Sequence, residues 1–518
     1  MPISFANIPA NWRLPLYWVE VDPSKAGLPT IRQPALLVGM KSTAGIAPAD
    51  VAVPIGTQAQ ADQKFGIGSH LANMFKAFFR NNFAHEVWGL PVAEPGAGTP
   101  ATGTITVTTT PPIEAGTIHL YIAGEHIGVN IGASDTPTSI AAAIVAAIMD
   151  DDNLPVTAAN TAGVVTLTCK FKGTAGNEID MRDSYYGRVG GEELPKNVAL
   201  AYTGLGQLAG GAGVPVFTNA VAQLGERNFE YVALPFTDST SLLIWEAEYG
   251  FSDTGRWGWM RQLYGHIFSA KIDTYSNLVT FGETRNCAQT SIMAVEIDSP
   301  TPGYEWTAAY TAKAARGLVN DPARPLQTLA LEWCKPAPLH QQFSLAENNN
   351  LAGVGLATQG VTAVGNPMIL RETTTYQLNL YGQGDDAYEL VTTMATLAKL
   401  FRNQRHAITT KYPRHKLAND GTRFGPGQAI VTPGIIKGEL VAQYRQDEYN
   451  GLVEDVRNFK RHLLVERDPN NPNRVNVLYP PDLINQLRVF AVLAQFRLQY
   501  DRGIDPIIGP RLAGAGAA

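Results

Sequence analysis

The sequence is poor in cysteine, in charge and in long apolar runs, and each shortage argues against a class of protein. Only three cysteines occur, Cys169, Cys287 and Cys334, and no two of them have a CxxC spacing. This argues against a disulfide framework and a cysteine-ligated zinc site. No run approaches the ~18 uncharged apolar residues that cross a bilayer, so no membrane insertion is expected. The N-terminus lacks a basic stretch followed by an apolar run, so no signal peptide is predicted.

The charge balance also limits the partners of this chain. Charged residues make up 17% of the 518 residues, and the net charge is −6. A protein that coats nucleic acid depends on clustered cations that neutralise phosphates, so no nucleic-acid partner is expected. Hydrophobic residues make up 45% of the chain, which is the opposite of the balance found in disordered proteins. The low charge suggests that much of the surface is covered by something other than water.

An alternation of strand and helix patterns follows the first thirty or so residues. Residues 34–40 (PALLVGM) and 86–92 (EVWGLPV) are short apolar runs typical of buried strands. Between them, apolar residues recur at helical spacing: Leu71, Met74, Phe75, Phe78 and Phe79. Strand, crossover helix and strand predict a locally parallel sheet. The pattern resumes at residues 229–235 and includes a predicted helix over 257–269 and a predicted strand over 278–281.

A β-rich module interrupts this pattern. Residues 104–110 and 164–171 are rich in valine and threonine, and Asp135-Thr136-Pro137 predicts the start of a helix that runs to about Met149. The flanking segments are rich in glycine, proline and small residues, as linkers are. We therefore predict a self-contained β-rich insert with one helix, placed within an α/β domain.

The predicted fold class is α/β (α+β) and multidomain, with a mixed-sheet core, flanking helices and extended strand-forming arms at both ends. In chain order the predicted segments are an N-terminal arm at 1–24, the first part of the core at 25–99, the β-rich inserted outer domain at 100–183, a Gly-rich connection at 184–228, the second part of the core at 229–370, a C-terminal α/β domain at 371–486 and a C-terminal arm at 487–518.

Both proposed arms are unusually apolar. In an extended N-terminal strand, apolar residues would cover both faces: Leu14, Leu16, Tyr17, Trp18, Val19 and Val21. Such a strand must be buried, either in the core of its own chain or as an arm paired with another subunit. In residues 487–500 (LRVFAVLAQFRLQY), a strand would place on one face Phe490, Val492, Phe496, Leu498 and Tyr500. A helix would instead gather Val489, Leu493, Phe496 and Tyr500, and we favour the strand.

Candidate chemical motifs are incomplete in this sequence. Residues 204–209 (GLGQLA) fit a loose dinucleotide pattern, but no helix follows to hold a pyrophosphate. Lys41-Ser42 follows a strand without the glycines of a phosphate-binding loop. His119 and His126 are close in sequence, but spacing places no third metal ligand. We therefore predict no enzymatic activity, no cofactor and no metal site.

One cationic stretch lies in the C-terminal part of the chain. Within 402–423 it contains Arg402, Arg405, Lys411, Arg414, His415, Lys416 and Arg423. It is interpreted either as a solvated helix end and loop or as a docking surface for an acidic partner. Nucleic acid is disfavoured, because few aromatic residues are interleaved with the cations.

The two termini and the first strand carry a family resemblance. Residues 1–22 (MPISFANIPANWRLPLYWVEVD), 34–40 (PALLVGM) and 476–501 (NVLYPPDLINQLRVFAVLAQFRLQYD) resemble the tail sheath protein of Mu-like contractile-tailed bacteriophages. These are extended structural segments whose joint occurrence in this order is specific. The insert matches such proteins only in kind.

The resemblance implies a structural polymer of the virion. Sheath proteins of this kind stack as six-membered rings around a tail tube and contract to drive the tube through the host envelope. The implied partners are further copies of the chain, the tail tube protein, and the baseplate and tail terminator proteins, with assembly in the host cytoplasm. The arms would add strands to neighbouring subunits, and the basic stretch would face the tube. The alternative is a baseplate or receptor-binding structural protein of the tail.

Overall fold

A computed structural model describes residues 32–496 and residue 498. The chain divides into a large unit that ends at Ile484 and a small unit that begins at Asn485. Every helix and strand of the described residues lies in the large unit. Within that described part, no helix is both long and apolar enough to cross a bilayer.

The first part of the chain forms the predicted strand–helix–strand unit. Its elements are β1 (Ala35–Met40), β2 (Val53–Ile55), α1 (Gln58–Phe65), α2 (His70–Asn81) and β3 (Val87–Val92). All residues of β1 are buried, as expected for a strand covered on both faces. The Ser69 side chain accepts a hydrogen bond from the Ala72 amide and so caps α2. Strands β1 and β3 pair in parallel, which confirms the prediction.

The insert contains two antiparallel sheets and one helix. Its elements are β4 (Pro100–Thr109), β5 (Gly116–Ile122), β6 (Glu125–Ile131), α3 (Pro137–Asp150), β7 (Val156–Thr161), β8 (Val164–Lys172), β9 (Met181–Asp183) and β10 (Val198–Tyr202). One sheet has the strand order β10-β4-β8-β7, and the other has the order β6-β5-β9. Helix α3 begins as predicted, with Thr136 as its N-cap and Pro137 in its first turn.

The insert extends beyond the predicted boundary at 183, and part of the predicted connection at 184–228 belongs to it. Strand β10 pairs with β4, and backbone bridges join Thr102 to Ala209 and Thr99 to Ala212. Glycines 204, 206 and 210 have positive φ angles, which let the chain turn back along β4. The glycine-rich composition indicates a flexible linker, but here it serves tight turns inside a sheet.

The insert is also less self-contained than its sequence suggests. The Phe171 ring lies 5.3 Å from the His70 ring and 6.0 Å from the Tyr304 ring, both in the main body. The Glu178 carboxylate accepts a hydrogen bond from the Gly303 amide at 3.0 Å. One cluster of buried apolar side chains therefore continues from the body into the insert.

The second part of the chain completes the main sheet. It forms α4 (Thr218–Leu224), β11 (Tyr231–Ala233), α5 (Ser239–Tyr249), β12 (His266–Asp273), α6 (Tyr275–Glu283), β13 (Thr290–Glu296), α7 (Gly303–Asn320), α8 (Leu345–Gly353), β14 (Thr358–Val361) and β15 (Pro367–Arg371). The main sheet has the order β13-β12-β11-β1-β3-β2. All neighbours are parallel except β2, which pairs antiparallel with β3. The mixed sheet confirms the predicted fold class.

Two predictions in this region are wrong. Residues 257–269 form turns and then enter β12, and residues 278–281 belong to helix α6. The turn includes Gln262 with a positive φ angle of 52°, which a helix does not allow. Strand β12 is buried at its start, and a short apolar stretch such as Ile267 and Phe268 does not by itself distinguish a strand from a buried helix. Thr274 caps α6, a start signal that the short apolar run concealed.

The C-terminal part of the large unit packs around a second apolar cluster. Its elements are α9 (Val391–Lys411), β16 (Lys416–Leu417), β17 (Ile430–Val431), α10 (Pro433–Tyr449), α11 (Val456–His462), β18 (Leu464–Arg467) and β19 (Val475–Leu478). Tyr444 of α10 stacks on Phe459 of α11 with the ring centroids 3.7 Å apart. Strands β18 and β19 form an antiparallel hairpin across the turn-rich residues 468–474.

Candidate assembly surfaces

The C-terminal unit exposes a run of large apolar side chains. Residues 485–496 form no helix or strand. The exposed side chains are Leu487, Val489, Phe490, Val492, Leu493, Phe496 and Leu498. Soluble chains rarely leave such a run in water without a partner. Phe490, Val492, Phe496 and Leu498 of the predicted arm are thus available for an intermolecular contact.

The other predicted arm residues lie outside the described residues. They are Leu14, Leu16, Trp18, Val19, Val21 and, at the other end of the chain, Tyr500.

The β18–β19 hairpin presents open edges. Among the described residues it is a sheet of two strands, and neither strand has a second neighbour. Leu464 and Leu478 stand opposite each other in the register, and both are exposed. A two-stranded hairpin is marginally stable by itself, and a third strand or an apolar cover stabilises it. The hairpin therefore has both the edge and the apolar side chains that strand addition requires.

An apolar cavity of about 870 Å³ lies beside this hairpin. Val475 and Val477 of β19 line one side of it, and Leu397 and Phe401 of α9 line another. Aromatic residues of the large unit complete the wall: Phe251, Trp257, Trp259, Tyr264, Tyr388 and Tyr412. Side chains of this type bury large apolar areas when a partner covers them.

The structure removes Arg402 from the predicted basic surface. Its guanidinium forms an ion pair with the Glu230 carboxylate, with Nη1 2.9 Å from Oε1, and both side chains are largely buried. The Arg402 side chain reaches inward from α9 to Glu230, whereas Arg405, three residues further along the helix, is exposed. The pairing partner is distant in sequence, so the cationic run alone did not reveal it.

The rest of the basic stretch remains at the surface. The exposed cations are Arg405, Lys411, Arg414, Lys416 and Arg423. Lys411 is paired with Glu439, and the Lys416 ammonium donates a hydrogen bond to the Gln428 side chain at 3.0 Å. Arg405, Arg414, Lys416 and Arg423 therefore give this surface most of its positive character.

Hydrogen bonds within the fold involve both incomplete nucleotide-binding motifs, at residues 204–209 and at Lys41-Ser42. The Met181 amide donates a hydrogen bond to the Gly206 carbonyl, and Asp180 is bridged to Gln207, so residues 204–209 form a turn against β9. The Lys41 ammonium bonds the Gly45 carbonyl at 2.8 Å. The structure also places Glu192 beside His119 and His126, which sequence spacing did not predict because Glu192 lies in a distant loop.

Buried carboxyl groups lie near the start of α7. Burial, with a smaller contribution from the neighbouring Glu125 charge, raises the pKa of Glu305 to about 8, although a hydrogen bond from Trp333 acts in the opposite direction. The Trp333 indole N–H lies 2.8 Å from Glu305 Oε2. Burial likewise raises the pKa of Glu178 to about 7. Both groups hold buried segments of the chain together through hydrogen bonds.

Comparisons with known proteins identify the family to which this chain belongs. The family model described as phage tail sheath protein central domain matches residues 210–375, and the model described as phage tail sheath C-terminal domain matches residues 383–497. The chain therefore belongs to the phage tail sheath family, whose members are structural proteins of the virion. It is 42% identical, over 500 residues, to the Mu-like prophage FluMu tail sheath protein of Haemophilus influenzae. That match covers 96% of this chain and 100% of the relative, and it confirms the predicted resemblance.

Solved structures of sheath proteins resemble the chain more distantly. A sheath tail protein of Desulfitobacterium hafniense gives a TM-score of 0.44 at 12% identity, covering 91% of this chain and 100% of that one. A sheath tail protein of Listeria innocua gives 0.45 at 10% identity, covering 88% and 92%. The contracted helical sheath of the anti-feeding prophage gives 0.41 at 8% identity, covering 94% and 99%. The family assignment rests on the sequence matches.

Proposed function

We propose that this sheath protein polymerises as stacked six-membered rings around a tail tube and contracts to drive the tube through the host envelope. The single observation that carries the proposal is the set of exposed apolar side chains at residues 487–496 and at Leu498 in a chain of the sheath family. Such a run gains stability when a neighbouring subunit covers it, because burying apolar area releases about 25 cal/mol per Å².

Strand addition is the proposed link between subunits. The open edges of β18 and β19 offer unpaired backbone groups, and the adjacent cavity offers an apolar wall. An extended segment from a neighbour would satisfy the backbone groups and place alternate side chains against that wall. We assign this role to residues 487–501 and, by the same composition, to residues 9–22. Links of this kind hold while the subunit bodies rotate, as contraction requires.

The remaining basic surface is the proposed contact with the tube. Each of Arg405, Arg414, Lys416 and Arg423 is exposed in the C-terminal part of the large unit. A single exposed ion pair contributes only about 0–1 kcal/mol, so such contacts break readily. Repeated along a polymer, they set the register of sheath on tube and yet release during contraction. We propose that the insert lies on the outer side of the polymer. The two ends of the sheath polymer would contact the baseplate and the tail terminator proteins. Assembly would take place in the host cytoplasm.

Negative-stain electron microscopy of the purified full chain tests this function. We expect rings or tubes without added cofactor, and a chain that ends at residue 486 should stay folded but form neither. Circular dichroism and a thermal melt of the shortened chain check its fold. Discrete small oligomers of the full chain would contradict polymerisation and favour a baseplate or receptor-binding role.

A further inference from the structure

The β5–β6 hairpin of the insert brings two histidines together. In the strand register, His126 stands opposite Tyr121, and His119 stands opposite Gly128. Since Gly128 has no side chain, the space across from His119 is open to the diagonal neighbour, His126. The imidazoles stack with centroids 5.2 Å apart, and His119 Nδ1 lies 2.9 Å from His126 Nε2.

A loop from outside the hairpin adds a carboxylate. The Ser184 amide donates a hydrogen bond to the His119 carbonyl and ties the start of this loop to β5. Glu192, which is buried, then follows a short 3₁₀ turn at Arg188–Gly190. One ligand atom each from His119, His126 and Glu192 lies within 4.8 Å of the other two.

The Glu192 carboxylate is fixed by two donors. The Tyr121 hydroxyl donates to Oε1, and the Tyr186 amide donates to Oε2 at 2.9 Å. Hydrogen bonds of this kind orient metal-binding carboxylates in proteins and strengthen the sites they serve. The carboxylate is thus held beside the imidazoles before any ion arrives.

We propose that His119, His126 and Glu192 bind one divalent transition-metal ion of the zinc class. Two imidazole nitrogens and one carboxylate oxygen are a common protein donor set for zinc. At zinc–nitrogen distances of 2.0–2.1 Å, tetrahedral ligand atoms lie about 3.3 Å apart, close to the separation of the two imidazole nitrogens. His126 is exposed, so the solvent side of the site is open to a water ligand. Mg²⁺ and Ca²⁺ prefer oxygen donors and should not compete.

Two charged side chains, Lys335 and Glu192, set the electrostatics of this site. The Lys335 ammonium lies 6.0 Å from the Tyr121 ring centroid and is the cation that opposes an incoming ion. The negative charge of Glu192 offsets the repulsion between Lys335 and the incoming cation. The ion would link the hairpin to the loop at 184–196 and stabilise the insert.

Zinc titration of the tag-free full chain tests this site. We expect one Zn²⁺ per chain by equilibrium dialysis, and a melting temperature that rises with Zn²⁺ but not with Mg²⁺. Binding by the free chain is measured at low concentration, so the result does not depend on polymerisation.

Variants separate this site from adventitious binding by other histidines. H126N alters an exposed residue and should lower zinc affinity at least tenfold, and E192Q should do the same while keeping an oxygen for the Tyr186 amide. Y121F should weaken binding by roughly 10–100-fold through loss of the carboxylate orientation. H462Q removes an exposed histidine of α11 and should leave affinity unchanged.

Equal zinc affinity in H126N and the wild type, or no zinc binding by the folded wild type, would overturn the proposal. The histidine pair would then be a hydrogen-bonded contact between the two rings and no metal site. Should E192Q unfold, H126N decides the question because its side chain is exposed.

Discussion

Arg402 and Glu230 join helix α9 to the segment that leads into the central strand β11. The guanidinium Nη1 lies 2.9 Å from Glu230 Oε1, Nη2 also contacts the carboxylate, and both side chains are largely buried. The pair connects the C-terminal elements to the main sheet. Five cations of the same stretch remain exposed, and four of them, Arg405, Arg414, Lys416 and Arg423, belong to the proposed tube contact. One run of cations therefore has two different roles.

Replacing Arg402 should destabilise the fold. R402M leaves the Glu230 carboxylate buried without its partner, which costs about 3–5 kcal/mol. R405M alters an exposed position on the same helix and should change stability by less than about 0.5 kcal/mol. Urea unfolding followed by circular dichroism measures both. A loss below about 1 kcal/mol for R402M would show that the pair contributes little.

Glu305 should make the protein less stable at high pH. The pKa of Glu305 is about 8 in the folded chain, whereas the ordinary value for this group is 4.5. Between these two pH values, the folded state keeps a proton on Glu305 that the unfolded state has released. The contribution of this group to the free energy of unfolding is therefore fully present below pH 4.5 and is lost as the pH rises through 8. E305Q cannot ionise and still offers an oxygen to Trp333.

Thermal melts from pH 5 to pH 9 should show a flatter decline for E305Q than for the wild type. We expect the difference at pH 9 to be on the order of a few kcal/mol. E283Q, at an exposed position on α6, should follow the wild-type curve. Parallel curves for E305Q and the wild type would mean that Glu305 does not carry this pH dependence.

The exposed apolar run should be needed for assembly and dispensable for folding. The double variant F490D/F496D places two carboxylates where the proposed interface buries aromatic rings. Burying a charge without a partner is unfavourable, so the variant should weaken the interface. We expect a wild-type melting temperature and no rings or tubes by electron microscopy. V189D changes an exposed valine of the insert, on the proposed outer side, and should assemble normally. Normal tubes from F490D/F496D would exclude this run as the subunit link.

The basic surface should affect sheath assembly on tubes more than assembly without them. R414E/R423E reverses two exposed cations that do not line the cavity beside the hairpin, so we expect severalfold weaker assembly on purified tubes and near-normal tube-free polymerisation. Sedimentation of both mixtures measures the two reactions. K196E reverses an exposed charge of the insert and should change neither. Equal loss in both assays would place the basic surface between sheath subunits.

Local patterns predicted the elements that have one clear signal. The apolar runs of β1 and β3, the helical spacing of α2 and the Thr136-Pro137 start of α3 all fold as predicted. Patterns that fit both a strand and a helix led to wrong predictions, as at residues 257–269, because a short apolar stretch does not distinguish a buried strand from a buried helix.

Residues that are near one another in the chain are enough to assign the family and the α/β class and to show that the local catalytic motifs are incomplete. The folded chain was needed to show that Arg402 pairs with Glu230, that the glycine-rich segment returns to the insert sheet, and that Glu192 meets His119 and His126. Each depends on residues from distant segments. Their proximity is set by sheet order and loop path, which short-range periodicity does not encode.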